Sequence, residues 1–120
     1  MLDNAKNREN RRYSSIARVK SPRLFTEDAF LKDISVTGCC IECATQVDVK
    51  TDTEYTITVH PEKESKVHNF DLLVECKWTH FDSSSCSIGF AVKLSPKKGD
   101  FLKYVDYLSW RHRNENAPTQ

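Results

Sequence analysis

This chain has little net charge, no long apolar run and an odd number of cysteines, and each shortage removes a class of function. Lys and Arg total 18 and Asp and Glu 17, for a net charge of +1. A dedicated duplex-DNA binder carries a strong basic excess, so DNA is not expected as a partner. No apolar stretch approaches the roughly 18 residues of a membrane span, and the N-terminus lacks the apolar core of a signal peptide. A cytoplasmic protein with no direct membrane insertion is therefore expected. Five cysteines, Cys39, Cys40, Cys43, Cys76 and Cys86, cannot all pair. With no secretion signal they read as buried reduced thiols rather than a disulfide framework. Cys39-Cys40-x-x-Cys43 invites comparison with zinc sites. On a strand, however, Cys39 and Cys43 face one way and Cys40 the other, so three thiolates do not converge without a bend. His60, His68, His80 and His112 are scattered without ligand spacing. No nucleophile–base pair, carboxylate pair or metal cluster stands out, so neither enzymatic chemistry nor a cofactor is expected. The chain also lacks internal repeats and low-complexity segments.

What is present is an ordinary globular balance, 38% apolar and 29% charged over 120 residues, enough for one domain with a modest core. Positive charge gathers at one end. Lys6, Arg8, Arg11, Arg12, Arg18, Lys20 and Arg23 stand against Glu9 alone between residues 6 and 23. Residues 1–15 read as a flexible basic arm, 16–113 as the folded body and 114–120 as a frayed tail. The body is rich in strand signals. Residues 16–20 form a short first strand, and 24–26 with 29–34 flank Glu27-Asp28 as a tight hairpin. The run 39–44 follows Gly38. Tyr55, Ile57 and Val59 alternate with threonines. Phe70, Leu72, Val74, Cys76 and Trp78 form one long apolar alternation, and Ile88, Phe90, Val92 and Leu94 form another. The spacing suits an all-β barrel or sandwich. After Ser95-Pro96, or from Asp100, the period changes to that of a helix. Phe101, Val105 and Leu108 lie at i, i+4 and i+7, with Leu102 and Tyr104 beside them, and this face is expected to lie on the barrel. Arg111, His112 and Arg113 suit the negative end of the helix dipole.

Two short segments stand out. Arg8-Glu9-Asn10-Arg11-Arg12-Tyr13 supplies forked donors suited to phosphate and to the O6/N7 edge of guanine. Asp33-Ile34-Ser35-Val36-Thr37-Gly38 supplies a carboxylate acceptor, a hydroxyl and a close backbone approach. In order and spacing they resemble the R-x-x-x-R and [D/N]-x-S-x-x-G signature of PilZ domains, which bind the second messenger cyclic di-GMP. Val74-Glu75-Cys76-Lys77-Trp78 and Ile88-Gly89-Phe90-Ala91-Val92 resemble two further strands of that family. The likeness thus covers nearly the whole chain. Arg8 and Arg12 satisfy R-x-x-x-R literally. In the register that family members usually adopt, Arg11, Arg12, Tyr13 and Ile16 match, and Ser15 stands where a further arginine is expected. Arg18, on the first strand, is a candidate to compensate.

The resemblance implies an antiparallel PilZ-like β-barrel of six to seven strands with a C-terminal α-helix. It implies a bacterial receptor that binds cyclic di-GMP through Arg8, Arg11, Arg12, Asp33, Ser35 and Gly38. Asp33 would accept from guanine N1–H and N2–H₂, Ser35 would add a hydroxyl contact, and Gly38 would keep the strand clear of the base. Ordering of the arm would then signal to a downstream protein partner. A degenerate adaptor that binds a motility or secretion protein without nucleotide is the alternative, favoured by Ser15. A barrel for single-stranded nucleic acid is a third, disfavoured because the strand aromatics sit mainly on the core-facing register, with Trp78 and Phe90 expected in the core, and because the charge is balanced. The plainer readings are a solvated arginine tail, an Asx or Ser turn at Asp33–Ser35 and a Tyr13 that merely anchors the arm.

Overall fold

The computed structural model describes residues 11–44 and 47–115. Seven strands and one helix follow in order: β1 (Tyr13–Ser14), β2 (Arg18–Lys20), β3 (Ala29–Ile34), β4 (Gly38–Cys43), β5 (Glu54–His60), β6 (Phe70–Phe81), β7 (Cys86–Leu94) and α1 (Lys98–Glu115). All strand pairs are antiparallel. The topology is two three-stranded meanders, β2-β3-β4 and β5-β6-β7, closed on each other along two seams. One seam sets Val19 opposite Val59, and the other sets Ile41 opposite Ile88. The result is the expected six-stranded antiparallel barrel, with β1 as an outer strand beside β3.

Period-2 patterning explains the closure. Leu31, Ile41, Ile57, Val59, Leu72, Val74 and Ile88 point inward and are fully buried. Each contributes about 1.5–3 kcal/mol relative to an exposed side chain. The expected helical face closes the barrel. Phe101, Tyr104, Val105 and Leu108 are buried, and Phe101 and Tyr104 pack their rings on Phe70 at the start of β6. Among the described residues, no helix is long and apolar enough to cross a membrane.

Several local expectations change. Residues 24–26 are not a strand, because the backbone curls at Pro22: Leu24 and Phe25 both donate N–H to the Ser21 carbonyl, at 2.9 and 2.8 Å. The first strand is interrupted, with Ile16 exposed between β1 and β2. The helix starts at Lys98 rather than behind a Ser95 cap, since Ser95 Oγ donates instead to the Asp71 carbonyl at 3.3 Å. Trp78, expected in the core, is 45% exposed. The ladder slips by one residue at Lys77, so that Cys76 faces Phe90 but Trp78 faces Gly89. Such a bulge turns every following side chain to the other face. Phe30 on β3 is also exposed, so the strand aromatics are not confined to the core. Finally, Cys43 and Cys86 are not reduced thiols. They lie opposite each other on the β4–β7 seam, Cα atoms 5.3 Å apart, and form a disulfide. Cys39, Cys40 and Cys76 are free and buried.

Candidate ligand-binding site

The segment 33–38 forms the tight connection between β3 and β4. Ser35 holds it together. Its amide donates to the Gly38 carbonyl at 2.8 Å, while its Oγ accepts from the amides of Thr37 and Gly38, both at 3.2 Å. The Ser35 side chain is fully buried. The hydroxyl expected to reach a ligand is therefore spent on shaping the turn, because a buried hydroxyl takes the nearest backbone donors.

Asp33 sits where the turn leaves β3, opposite Ser14 of β1 on one side and Cys40 of β4 on the other. Arg12 immediately precedes β1. Its Nη1 donates to Asp33 Oδ1 at 3.0 Å, and both side chains remain partly exposed. The guanidinium continues over Gly38. A Cβ placed on Gly38 would stand 2.8 Å from the Phe90 carbonyl oxygen and 2.9 Å from Arg12 Nη2. Only glycine leaves that approach open. The two motifs, 21 residues apart in sequence, thus converge on one surface.

Arg11 turns the other way. Its Nη2 donates to His112 Nε2 at 2.8 Å, and its guanidinium lies 5.8 Å from the centre of the Tyr13 ring. Tyr13 is buried and meets His112 edge-on, so it anchors the arm to the helix. Arg18 lies farther along the barrel, opposite Phe30 and His60, and does not join Arg12. Arg8 lies outside the described residues.

Ser15 has a different employment from that of a phosphate-binding arginine. The Ala17 amide donates to Ser15 Oγ at 3.0 Å, and Ser15 Oγ lies 2.7 Å from Tyr104 Oη. Tyr104 Oη donates to Glu62 Oε1 at 2.7 Å. That bond uses the phenol's one proton, so Ser15 donates to Tyr104. Arg111 then pairs with Glu62 Oε2 at 2.9 Å and donates to the Ser14 carbonyl at 2.8 Å. Burial pushes the Tyr104 phenol well above its ordinary range. The chain from Ala17 to Arg111 fastens β1 to α1. No sequence signal marks this network, since Glu62 and Tyr104 lie far from either motif. Arg111 and His112 carried only a helix-dipole signal.

No protein-family model matches this chain, and no curated protein matches it. Among solved structures it is similar to the inhibitor of motility MotI/DgrA of Bacillus subtilis, with a TM-score of 0.68 and 16% sequence identity over 88% of this chain. The match covers 50% of that protein, so this chain spans about half its length. The fold is PilZ-like.

Proposed function

We propose that this PilZ-like barrel binds cyclic di-GMP at the surface formed by Arg12, Asp33 and Gly38, with Arg11 and Arg8 contributing from the arm. The observation that carries the proposal is the 3.0 Å pair between Arg12 and Asp33 above a glycine that admits no side chain. Binding needs no chemistry. Asp33 is acceptor-only and reads the guanine N1–H and N2–H₂ donors, which adenine does not present in that pattern. Arg12 turns its fork onto a phosphate or onto guanine O6/N7. The Arg12–Asp33 pair is not an obstacle, because a pair this exposed is worth only about 0–1 kcal/mol. In the free protein it holds both groups near their binding positions. Ser35 acts through the turn, keeping Asp33 and Gly38 in place. The output is a changed arm surface, presented to a downstream protein.

Calorimetric titration of cyclic di-GMP into the wild-type protein, Arg12→Ala and Asp33→Ala tests this. Micromolar or tighter binding, lost in both variants, is the expected result. Binding that survives both substitutions would place the nucleotide elsewhere.

One observation favours a second reading, a nucleotide-free adaptor for a motility or secretion protein. Ser15 stands at an arginine position of the resembling family and is tied to Tyr104. One charged hydrogen bond to phosphate is worth about 1.5–3 kcal/mol, or roughly tenfold to a hundredfold in affinity. Folded wild-type protein that takes up no cyclic di-GMP would overturn the receptor and favour the adaptor.

A further inference from the structure

We propose that the space between the arm and the C-terminal end of α1 is a phosphate subsite, held by Arg11 and Arg113, with His112 setting the aim of Arg11. The space measures about 490 Å³ and is lined by Arg11, Tyr13, Ser109, His112 and Arg113. That volume falls within the roughly 300–1,000 Å³ of small-molecule sites. Two permanent cations face it. Among the described residues neither Arg11 nor Arg113 pairs with a carboxylate, and no acidic residue lines the space. Arg113 Nη1 is steadied on Ser109 Oγ at 2.7 Å. Helix C-terminal carbonyls by themselves repel anions. Two guanidiniums at this end reverse the sign, and their planar forks suit a phosphate group.

The placement of Arg11 points the same way. A guanidinium has no acceptor, so in its 2.8 Å contact His112 Nε2 accepts from Arg11. Arg11 also lies against the Tyr13 ring, which leaves that wall closed to a stacked base. A phosphate, not a nucleobase, is what the space offers to hold. Where Ser15 withholds a charge from the arm, Arg113 supplies one from the far end of the chain.

The link to cyclic di-GMP rests on the function proposed above; the phosphate site itself does not. The test uses the full chain as wild type, Arg113→Gln, and Lys103→Gln, which removes the same charge from α1 outside the space. Cyclic di-GMP is titrated by calorimetry. Inorganic pyrophosphate is titrated while the Arg Nε–H NMR signals are followed. We expect pyrophosphate to move the Arg11 and Arg113 signals, and Arg113→Gln to weaken cyclic di-GMP about tenfold, while Lys103→Gln binds as wild type. His112→Phe keeps a ring on Tyr13 but loses the acceptor and should weaken binding. His112→Gln keeps an acceptor and should restore it; equal losses in the two would overturn the positioning role. Cyclic di-GMP binding that needs Asp33 but not Arg113, with both arginine signals unmoved, would overturn the subsite and leave the receptor standing. Pyrophosphate binding without cyclic di-GMP binding would keep the subsite, assign its phosphate to another molecule and overturn the receptor. Binding of neither would overturn both.

Discussion

Single residues here are confined by neighbours that the sequence places far away. At Gly38 an added methyl meets a backbone oxygen of β7, which has no room to move. Gly38→Ala is expected to cost about 1–3 kcal/mol, as overpacked sites do, measured as a lowered urea midpoint, and to weaken the proposed nucleotide binding because Arg12 is displaced as well. Tyr104→Phe removes one oxygen and strands two groups, the Ser15 hydroxyl and one oxygen of Glu62. An unsatisfied buried polar group costs about 1–3 kcal/mol, so thermal unfolding of Tyr104→Phe should fall by several degrees while its barrel circular dichroism is unchanged. Cys39 gives the pH dependence. Burial lifts its thiol from 9.0 to about 12. Below pH 9 both folded and unfolded chains hold the proton. Between pH 9 and about 12 the unfolded chain releases it and the folded chain does not, so stability falls across that window. Urea midpoints measured from pH 8 to 11 should decline, and less steeply in Cys39→Ala. The residue types at the site were legible in sequence: a carboxylate, arginines and a glycine at fixed spacing. The inward turn of Ser35 was not, because the same Asp-x-Ser pattern serves a ligand or a turn. Nor was the engagement of Ser15, whose partner is 89 residues away.

At the scale of elements, legibility followed period. Strands β5, β6 and β7 and the buried face of α1 came directly from alternation and from i, i+4, i+7 spacing. Leu108→Ala on that face should destabilise by about 2–5 kcal/mol, read by chemical denaturation. Where an element breaks its own period, the sequence misleads. The alternation through Trp78 runs unbroken in the sequence, yet the extra residue Lys77 reverses it. Deleting Lys77 should remove the bulge and leave a regular ladder with Trp78 still opposite Gly89 on the outer face, so its fluorescence should stay solvent-exposed and unfolding should stay cooperative. A deletion variant whose Trp78 fluorescence shifts to that of a buried ring would show that Lys77 is not the extra residue of the ladder. The Cys43–Cys86 pair was hidden for a related reason: register across a seam depends on closure, which no local window contains. Pro22, by contrast, is a turn signal in plain view, and the turn at Ser21 outweighs the strand propensity of the apolar Leu24-Phe25 that follows.

At the scale of the whole molecule, fold class was legible and the arm was half so. Seven strand signals and one helix signal leave few architectures, and a small closed barrel is the natural one. The arm read as basic and flexible, whereas Tyr13 and Ser14 are paired with β3 and bound to α1 through Arg111. The division into two meanders has its own consequence for how the chain assembles. Hairpins within β2-β3-β4 and within β5-β6-β7 join near neighbours, but the seams join Val19 to Val59 and Ile41 to Ile88. Neither half is a sheet that can survive alone, since each would expose two edges and one unroofed apolar face. Docking of the two halves is then the step expected to limit folding, and non-local closure of this kind is slow, on the order of milliseconds to seconds; stopped-flow refolding on the microsecond scale would contradict it. Cut in the connection between the halves, the chain should behave as two disordered fragments that fold only on meeting, so that the barrel becomes a bimolecular switch whose assembly follows concentration.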